Sequence, residues 1–201
     1  MKRLLLVRHG ESEWNATRRL QGQADISLSE TGRQQATALA ETVRSLRPDR
    51  TVASDLRRAG ETATLLGYPE AEPMPALREI DVGAWTGVEI ADLIAGQGEA
   101  YRSWRAGSFT PPSGESWDQF KSRTSGAVFD ASAGAERLLV VCHGGVIRAL
   151  LEAFIGLPPA RIIPVGPASV TILAAKSDGR DDMRLELFNY SPLGPVLDAP
   201  D

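Results

Sequence analysis

Two matching stretches decide the fold: RLLLVRHG at residues 3–10 and RLLVVCHGG at residues 137–145. Each is a short apolar run that leads directly into a histidine and a glycine. Such near-continuous apolar runs are typical of strands that are buried on both faces of a parallel sheet. Predicted helices separate the strands along the chain, and this alternation predicts an α/β layered fold with a mostly parallel sheet.

Further segments fit the alternation. Residues 27–46 are amphipathic and predict a helix with Ser29 as its N-cap. Residues 54–67 predict a second helix, whose N-cap is either Ser54 or Asp55. The other predictions are helices at 116–131 and 144–156, a partly helical segment at 84–96, a proline-rich loop at 109–116, and strands at 50–54, 168–175 and 183–190.

The composition is that of an ordinary globular protein of 201 residues with a net charge of −4. This length predicts a single domain over residues 1–201. The apolar run before Arg8 is only four residues long, too short for the ~7–15 of a signal peptide. No stretch of the chain approaches the ~20 apolar residues of a membrane span. The acidic charge argues against a nucleic-acid partner. The single cysteine, Cys142, cannot form an internal disulfide, which fits a cytoplasmic protein.

The two histidines of the chain, His9 and His143, follow the two apolar strands. Ligands of open α/β sheets sit at the carboxyl ends of the strands, so the two imidazoles converge if these strands are neighbours. A neutral imidazole can attack phosphorus through one ring nitrogen while the other donates to a carbonyl. The second imidazole, if protonated, can balance charge on the phosphoryl oxygens. The alternative interpretation is that each histidine only forms hydrogen bonds within the core.

Two arginines could supply the cationic donors that a phosphate requires. Arg8 directly precedes His9, and Arg58 lies in the first turns of a predicted helix, where free N–H groups and the helix dipole attract anions. Asn15 and the turn at residues 21–23, which includes Gln21, could add neutral donors. The two histidines and one cysteine have no spacing that indicates a metal site.

Three carboxyl groups are candidates for the proton donor to the leaving alcohol. Glu79 precedes a glycine-rich turn, Asp81 lies two residues further along the same extended segment, and Glu115 lies in the sequence PPSGES. The residues alone leave this choice open.

Five blocks in order resemble the histidine phosphatase superfamily, in its phosphoglycerate-mutase-like branch. They are LVRHGESEWN at 6–15, SDLRRAGETA at 54–63, LREIDVGAWTG at 77–87, PPSGES at 111–116 and VVCHGGVIRAL at 140–150. The resemblance implies a three-layer α/β/α sandwich with a helical lid from the middle of the chain, at about 88–117. It also implies a mechanism that needs neither a metal nor a nucleotide.

The resemblance also assigns roles to residues. It implies that His9 becomes phosphorylated, and that Glu79 is the proton donor. The implied phosphate pocket consists of Arg8, Arg58 and His143, with Asn15 and Gly22 as further contacts. Gln21, Glu115 and Gly144 are additional candidates for substrate binding.

These observations predict a metal-independent phosphomonoesterase that hydrolyses a small-molecule phosphate ester through a phosphohistidine. Short members of this branch include alpha-ribazole phosphatase and sugar or phosphoglycerate phosphatases. A homodimer is a candidate assembly, which the sequence does not decide.

Two other functions compete with hydrolysis. A cofactor-dependent phosphoglycerate mutase requires a second anion site, for which Arg102 and Arg105 are available. However, the mutases of this family carry an Asn after the His-Gly pair, where this chain has Gly145. A non-catalytic phospho-ligand binder is expected to lack the nucleophile or the acid, whereas His9 and Glu79 are both present.

Overall fold

The computed structural model describes residues 1–175, 183–195 and 199. Its six strands are β1 (Arg3–Arg8), β2 (Arg50–Ala53), β3 (Glu72–Pro73), β4 (Arg137–Cys142), β5 (Val170–Ala175) and β6 (Met183–Tyr190). They form one sheet in the order β3-β2-β4-β1-β5-β6. The first four strands in this order are parallel, β5 is antiparallel to β1, and β6 is antiparallel to β5. The predicted mostly parallel sheet is therefore confirmed.

Helices cover both faces of this sheet. They are α1 (Glu13–Ala16), α2 (Glu30–Ser45), α3 (Arg57–Leu65), α4 (Ile90–Arg105), α5 (Trp117–Ala131) and α6 (Gly144–Ile155). Side chains of α5 and α6 pack on one face, and side chains of α2 and α3 pack on the other. This arrangement is the α/β/α layering that the sequence predicted.

The two central strands are apolar between their terminal residues because both of their faces are buried there. In β1, Leu4 and Leu6 join the core on the α5 and α6 side, while Leu5 and Val7 join the core on the opposite side. Successive side chains of a strand point to opposite faces, so a strand between two helical layers needs apolar residues at every position.

The predicted caps have different outcomes. Ser29 caps α2, since its side chain accepts a hydrogen bond from the backbone N–H of Gly32. The prediction that Ser54 or Asp55 caps α3 was wrong, because the N-cap position is Leu56 and no side chain caps it. Both predicted caps are engaged elsewhere: Ser54 contacts His143, and the Asp55 carboxylate pairs with the guanidinium of Arg78.

Two other segments refine the predictions. The segment predicted as partly helical contributes to α4, whose backbone is non-helical at Gln97. The two late strands pair as predicted, and the turn predicted between them lies outside the described residues. Within the described part of the chain, no helix combines the length and the apolar character that crossing a bilayer requires.

Candidate active site

The two histidines lie side by side because their strands are neighbours. β1 and β4 are parallel and in register, with Arg8 opposite Cys142. The backbone N–H of His9 donates to the carbonyl of Cys142 at 3.0 Å, and the ring centroids of His9 and His143 are 5.1 Å apart. The sheet order places β2 on the other side of β4, so Ser54 and the start of α3 reach the same edge. The expected convergence at the carboxyl ends of the strands is therefore confirmed.

The His9 ring has an environment that favours one tautomer. Its Nδ1 lies 2.6 Å from the carbonyl oxygen of Gly10, so Nδ1 carries the proton and donates it. Its Nε2 lies 3.3 Å from Nε of Arg58, whose N–H donates to it. The Nε2 lone pair therefore points toward a guanidinium, where an anion is attracted.

Burial and positive charge keep the His9 ring neutral. The side chain is 3% exposed, and burial, followed by the charges of Arg58 and Arg8, holds the pKa of His9 well below its ordinary value. A neutral imidazole is the form that can act as a nucleophile.

His143 is completely buried and its orientation is fixed by Ser54. Nε2 of His143 lies 2.9 Å from the Ser54 hydroxyl. Its Nδ1 has no hydrogen-bond partner among the described residues. Burial, followed by the charge of Arg58, lowers the pKa of His143 well below its ordinary value. The protonated form that the sequence analysis considered is therefore disfavoured without a bound anion.

Two buried arginines flank the histidines. Arg8 donates to the carbonyl of Val165, and Arg58 donates to the carbonyls of Gly22 at 2.9 Å and Ala24 at 2.7 Å. Both side chains are at most 2% exposed. Burial lowers the pKa of Arg58 to about 10, so it stays charged at neutral pH.

Glu79 is the predicted donor candidate that lines the same pocket. Its carboxylate accepts the backbone N–H of Ile80 at 2.8 Å and that of Gly145 at 2.9 Å. Gly145 is the second residue of α6, so the carboxylate sits at the positive end of that helix. The carboxylate also interacts with the charge of Arg58.

The other two carboxyl candidates are engaged away from the pocket. The Asp81 carboxylate accepts the backbone N–H of Gly83 at 2.8 Å. The Glu115 carboxylate forms two hydrogen bonds of 2.7 Å with Arg123. Both carboxyl groups border a shallow surface depression instead.

Not all of the neutral residues predicted to bind the substrate lie at the pocket. Gln21, Gly22 and Gly144 line the pocket, whereas Asn15 is not part of its lining. Asn15 Oδ1 accepts hydrogen bonds from the backbone and the hydroxyl of Ser12, which caps α1. Gly22 has a φ of +49°, and a Cβ there would lie 2.8 Å from Val82 Cγ2, so the turn requires glycine.

The pocket has a volume of about 640 Å³ that includes its open mouth. Beyond the charged groups its walls are largely apolar. The apolar part comprises Leu20, Ile80, Val82, Trp104, Trp117, Pro164 and Val165. Trp85 packs against Trp104 with a centroid distance of 5.9 Å but does not line the pocket itself.

Two residues of the site were not predicted from the sequence: Arg148, which lines the pocket, and Ser54, which contacts His143. Arg148 lies one helical turn after Gly144 on α6, so helical spacing from the His-Gly pair was the available indication. It donates to the backbone carbonyls of Arg105 and Pro159 and lies over the Trp117 ring.

No group of three or more His, Cys, Asp and Glu side chains suited to a metal ion occurs among the described residues. Cys142 is buried, and burial raises the pKa of its thiol.

Known proteins resemble this chain over most of its length. It is 37% identical to glucosyl-3-phosphoglycerate phosphatase from Mycobacterium tuberculosis over 212 residues, covering 94% of this chain and 95% of the relative. It is 38% identical to metal-independent phosphoserine phosphatase from Arabidopsis thaliana over 157 residues, covering 73% of this chain and 66% of that protein.

The fold is also similar to that of solved structures. The structure of mycobacterial glucosyl-3-phosphoglycerate phosphatase with VO3 has a TM-score of 0.86 and 35% sequence identity, covering 95% of this chain and 100% of that chain. The family model of the histidine phosphatase superfamily (branch 1) matches residues 4–189. With the paired histidines at neighbouring strand ends, this match shows that the chain belongs to the histidine phosphatase superfamily, branch 1.

Proposed function

We propose that this phosphomonoesterase hydrolyses a small phosphate ester through a phosphohistidine on His9, without a metal ion. The observation that supports this proposal best is the arrangement of the His9 ring. Its Nδ1 is held by the Gly10 carbonyl, and its Nε2 faces the buried guanidinium of Arg58. A nucleophile and an anion-binding group therefore share one small volume.

In the first step, the phosphate of the ester binds among Arg8, Arg58 and His143. The lone pair of His9 Nε2 attacks phosphorus, and the bond between phosphorus and the ester oxygen breaks. The ester binds as a monoanion, and its proton passes to the Glu79 carboxylate. Glu79 then gives this proton to the departing oxygen, which leaves as a neutral alcohol. The guanidinium groups stabilise charge on the three remaining phosphoryl oxygens, because they are pre-oriented and excluded from water.

In the second step, a water molecule attacks the phosphorus of the phosphohistidine. The Glu79 carboxylate accepts a proton from this water, and the N–P electron pair returns to His9 Nε2. Inorganic phosphate leaves, and Glu79 is protonated again for the next cycle. His143 does not itself line the pocket, but it can support both steps if Ser54 donates to its Nε2. Nδ1, which has no hydrogen-bond partner among the described residues, then carries an N–H that can donate to the anion.

The apolar walls indicate where the alcohol part of the ester binds. Trp104 and Trp117, which line the pocket, belong to the segment 88–117, and we assign this segment as the lid. The relatives named above act on glucosyl-3-phosphoglycerate and on phosphoserine, so these two esters are the first substrates to assay. The buried thiol of Cys142 suits a reducing compartment, and we place the enzyme in the cytoplasm.

The position of Gly145 favours hydrolysis over the mutase alternative. The Glu79 carboxylate occupies the space beside the α-carbon of Gly145, where a mutase-type Asn would need room. Arg102 and Arg105, the candidates for a second anion site, do not line the pocket.

Trapping the intermediate tests the mechanism. Rapid quenching with ³²P-labelled aryl phosphate is expected to give a base-stable, acid-labile label on the wild-type protein and none on His9→Ala. Thermal unfolding of the variant verifies that it is folded. Full turnover by His9→Ala would contradict the mechanism. Activity toward 3-phosphoglycerate that depends on 2,3-bisphosphoglycerate would instead identify a mutase.

A further inference from the structure

Hydrogen bonds hold the Glu79 carboxyl group in one position at the start of α6. Its two oxygens accept the backbone N–H groups of Ile80 and Gly145, at 2.8 and 2.9 Å. The backbone carbonyl of Glu79 accepts from Arg123 at 3.0 Å and from Gln23 at 3.3 Å. Both ends of the residue are therefore held.

The side chain of Glu79 occupies space that only a glycine at position 145 leaves open. A Cβ on Gly145 would lie 2.2 Å from Oε1, 2.9 Å from Cδ and 3.1 Å from Oε2 of Glu79. At the adjacent Gly144, the nearest atom to such a Cβ is on Arg8 at 3.6 Å, an ordinary contact distance. The overlap is therefore specific to residue 145.

The backbone does not explain this glycine. Gly145 lies within α6 and has no positive φ, so an alanine can adopt its conformation and has the higher helix propensity. The one close neighbour is the end of a flexible side chain, which can move without disturbing the fold. The main effect of a larger residue at position 145 is therefore to displace the Glu79 carboxyl group.

We propose that Gly145 is a positioning residue for acid–base catalysis: its missing side chain lets the Glu79 carboxyl dock on the first turn of α6. This inference rests on the proposed role of Glu79 as the proton donor. In this chain a Cβ at position 145 would displace the carboxyl from this docked position and impair proton transfer to the leaving oxygen.

The leaving group distinguishes this role from a general structural one. The p-nitrophenolate of p-nitrophenyl phosphate departs without needing a proton, whereas the alkoxide of an alkyl phosphate requires one. A misplaced acid should therefore slow alkyl esters selectively, while damage to the phosphate pocket should slow both substrates together.

The experiment measures kcat/KM of Gly145→Ala with p-nitrophenyl phosphate and with glycerol 2-phosphate. The ratio of alkyl to aryl activity is expected to fall at least about tenfold, part of the ~10²–10⁴-fold that general acid catalysis contributes. Gly126→Ala is the matched control, because a Cβ at this glycine of α5 meets no atom within 4 Å. Its ratio is expected to be unchanged.

A double-mutant cycle with Glu79→Gln separates the two hypotheses. Glu79→Gln should reproduce the selective loss, and adding Gly145→Ala to it should cause little further loss. Equal losses on both substrates in Gly145→Ala, or no loss, would overturn the role of Gly145 while leaving the mechanism intact. An unselective effect of Glu79→Gln would instead contradict the donor role of Glu79 and the inference with it.

A folding defect in Gly145→Ala still tests the proposal. If the overlap with the carboxyl is the cause, Glu79→Ala in the same chain should restore the thermal stability. If Glu79→Ala does not restore the stability, the destabilisation has a cause other than the overlap with the carboxyl, and the inference is overturned.

Discussion

Arg58 joins three parts of the candidate site through one guanidinium. It donates to His9 Nε2 and to the carbonyls of Gly22 and Ala24. A planar guanidinium can serve these separate acceptors together, whereas a lysine ammonium is a point charge at the end of a flexible stem. Arg58 therefore contributes geometry to the site as well as charge.

Replacing this guanidinium tests that contribution. Arg58→Lys keeps the charge, but it is expected to lose about 1.5–3 kcal/mol of phosphate binding, which is roughly ten- to a hundredfold in affinity. Competitive inhibition by orthovanadate measures the loss. Arg57→Lys is the control, since the neighbouring Arg57 is exposed and pairs only loosely with Asp25. Equal inhibition constants for the two variants would contradict the assignment.

Individual residues were predictable where the chemistry followed directly from a strand end. His9 and His143 each follow an apolar strand, and Arg8 and Arg58 lie beside such ends, so strand adjacency alone brought them together. Glu115 was harder to interpret, because its pairing with Arg123 depends on how α5 packs. The long-range partners of a side chain are not encoded in its local sequence.

At the scale of elements, the start of α2 lies unusually close to the loop after β1. A Cβ on Gly32 would lie 1.9 Å from the carbonyl oxygen of Glu11, and a Cβ on Gly10 would lie 2.3 Å from that of Gly32. These neighbours are backbone atoms, which cannot move aside as a side chain does. The Gly10 carbonyl also holds His9 Nδ1, so this packing reaches the proposed nucleophile.

A pair of glycine variants measures the effect of this contact. Gly32→Ala is expected to reduce the free energy of unfolding by about 1–3 kcal/mol, the typical cost of overpacking, and to lower turnover by displacing Gly10. Gly126→Ala, in the open space along α5, is expected to raise stability by about 0.5–1 kcal/mol through helix propensity. Denaturant unfolding of both variants gives the values. A stabilising Gly32→Ala would contradict the close packing.

Element positions were largely predictable, and their ends less so. The apolar runs gave β1 and β4 at the bounds that the structure shows, because buried parallel strands leave a strong local pattern. Ser29 was recognised correctly as a cap. The α3 cap was wrong because Ser54 and Asp55 bind His143 and Arg78, and tertiary contacts can override a local capping preference.

At the scale of the whole molecule, the fold keeps both of its histidines out of water. They lie at the carboxyl ends of the two central strands, beside buried arginines. This burial lowers the pKa of each imidazole in the folded state, while an unfolded chain has ordinary values near 6.5. This burial therefore keeps the proposed nucleophile His9 neutral, and it lowers the stability of the folded protein in acid.

The sign of this effect follows from proton linkage. Above about pH 6.5, neither state binds a proton on these rings, so they do not contribute to the pH dependence. As the pH falls below that value, the two imidazoles bind protons in the unfolded chain but stay neutral in the folded chain. Each histidine then lowers the free energy of unfolding by up to about 1.4 kcal/mol per pH unit, until the pH reaches its folded pKa.

Thermal unfolding between pH 7.5 and 5 measures this loss. The wild-type Tm is expected to fall as the pH drops below about 6.5, and His143→Gln should show a shallower fall because one of the two imidazoles is gone. Inorganic phosphate should also flatten the wild-type curve, since an anion between Arg8 and Arg58 offsets the positive charge that opposes protonation of His143. Parallel curves for wild type and His143→Gln would contradict the assignment of a buried neutral His143. In that case the acid sensitivity in this window would come from His9 alone, because carboxyl groups have ordinary pKa values near 4 and titrate below it.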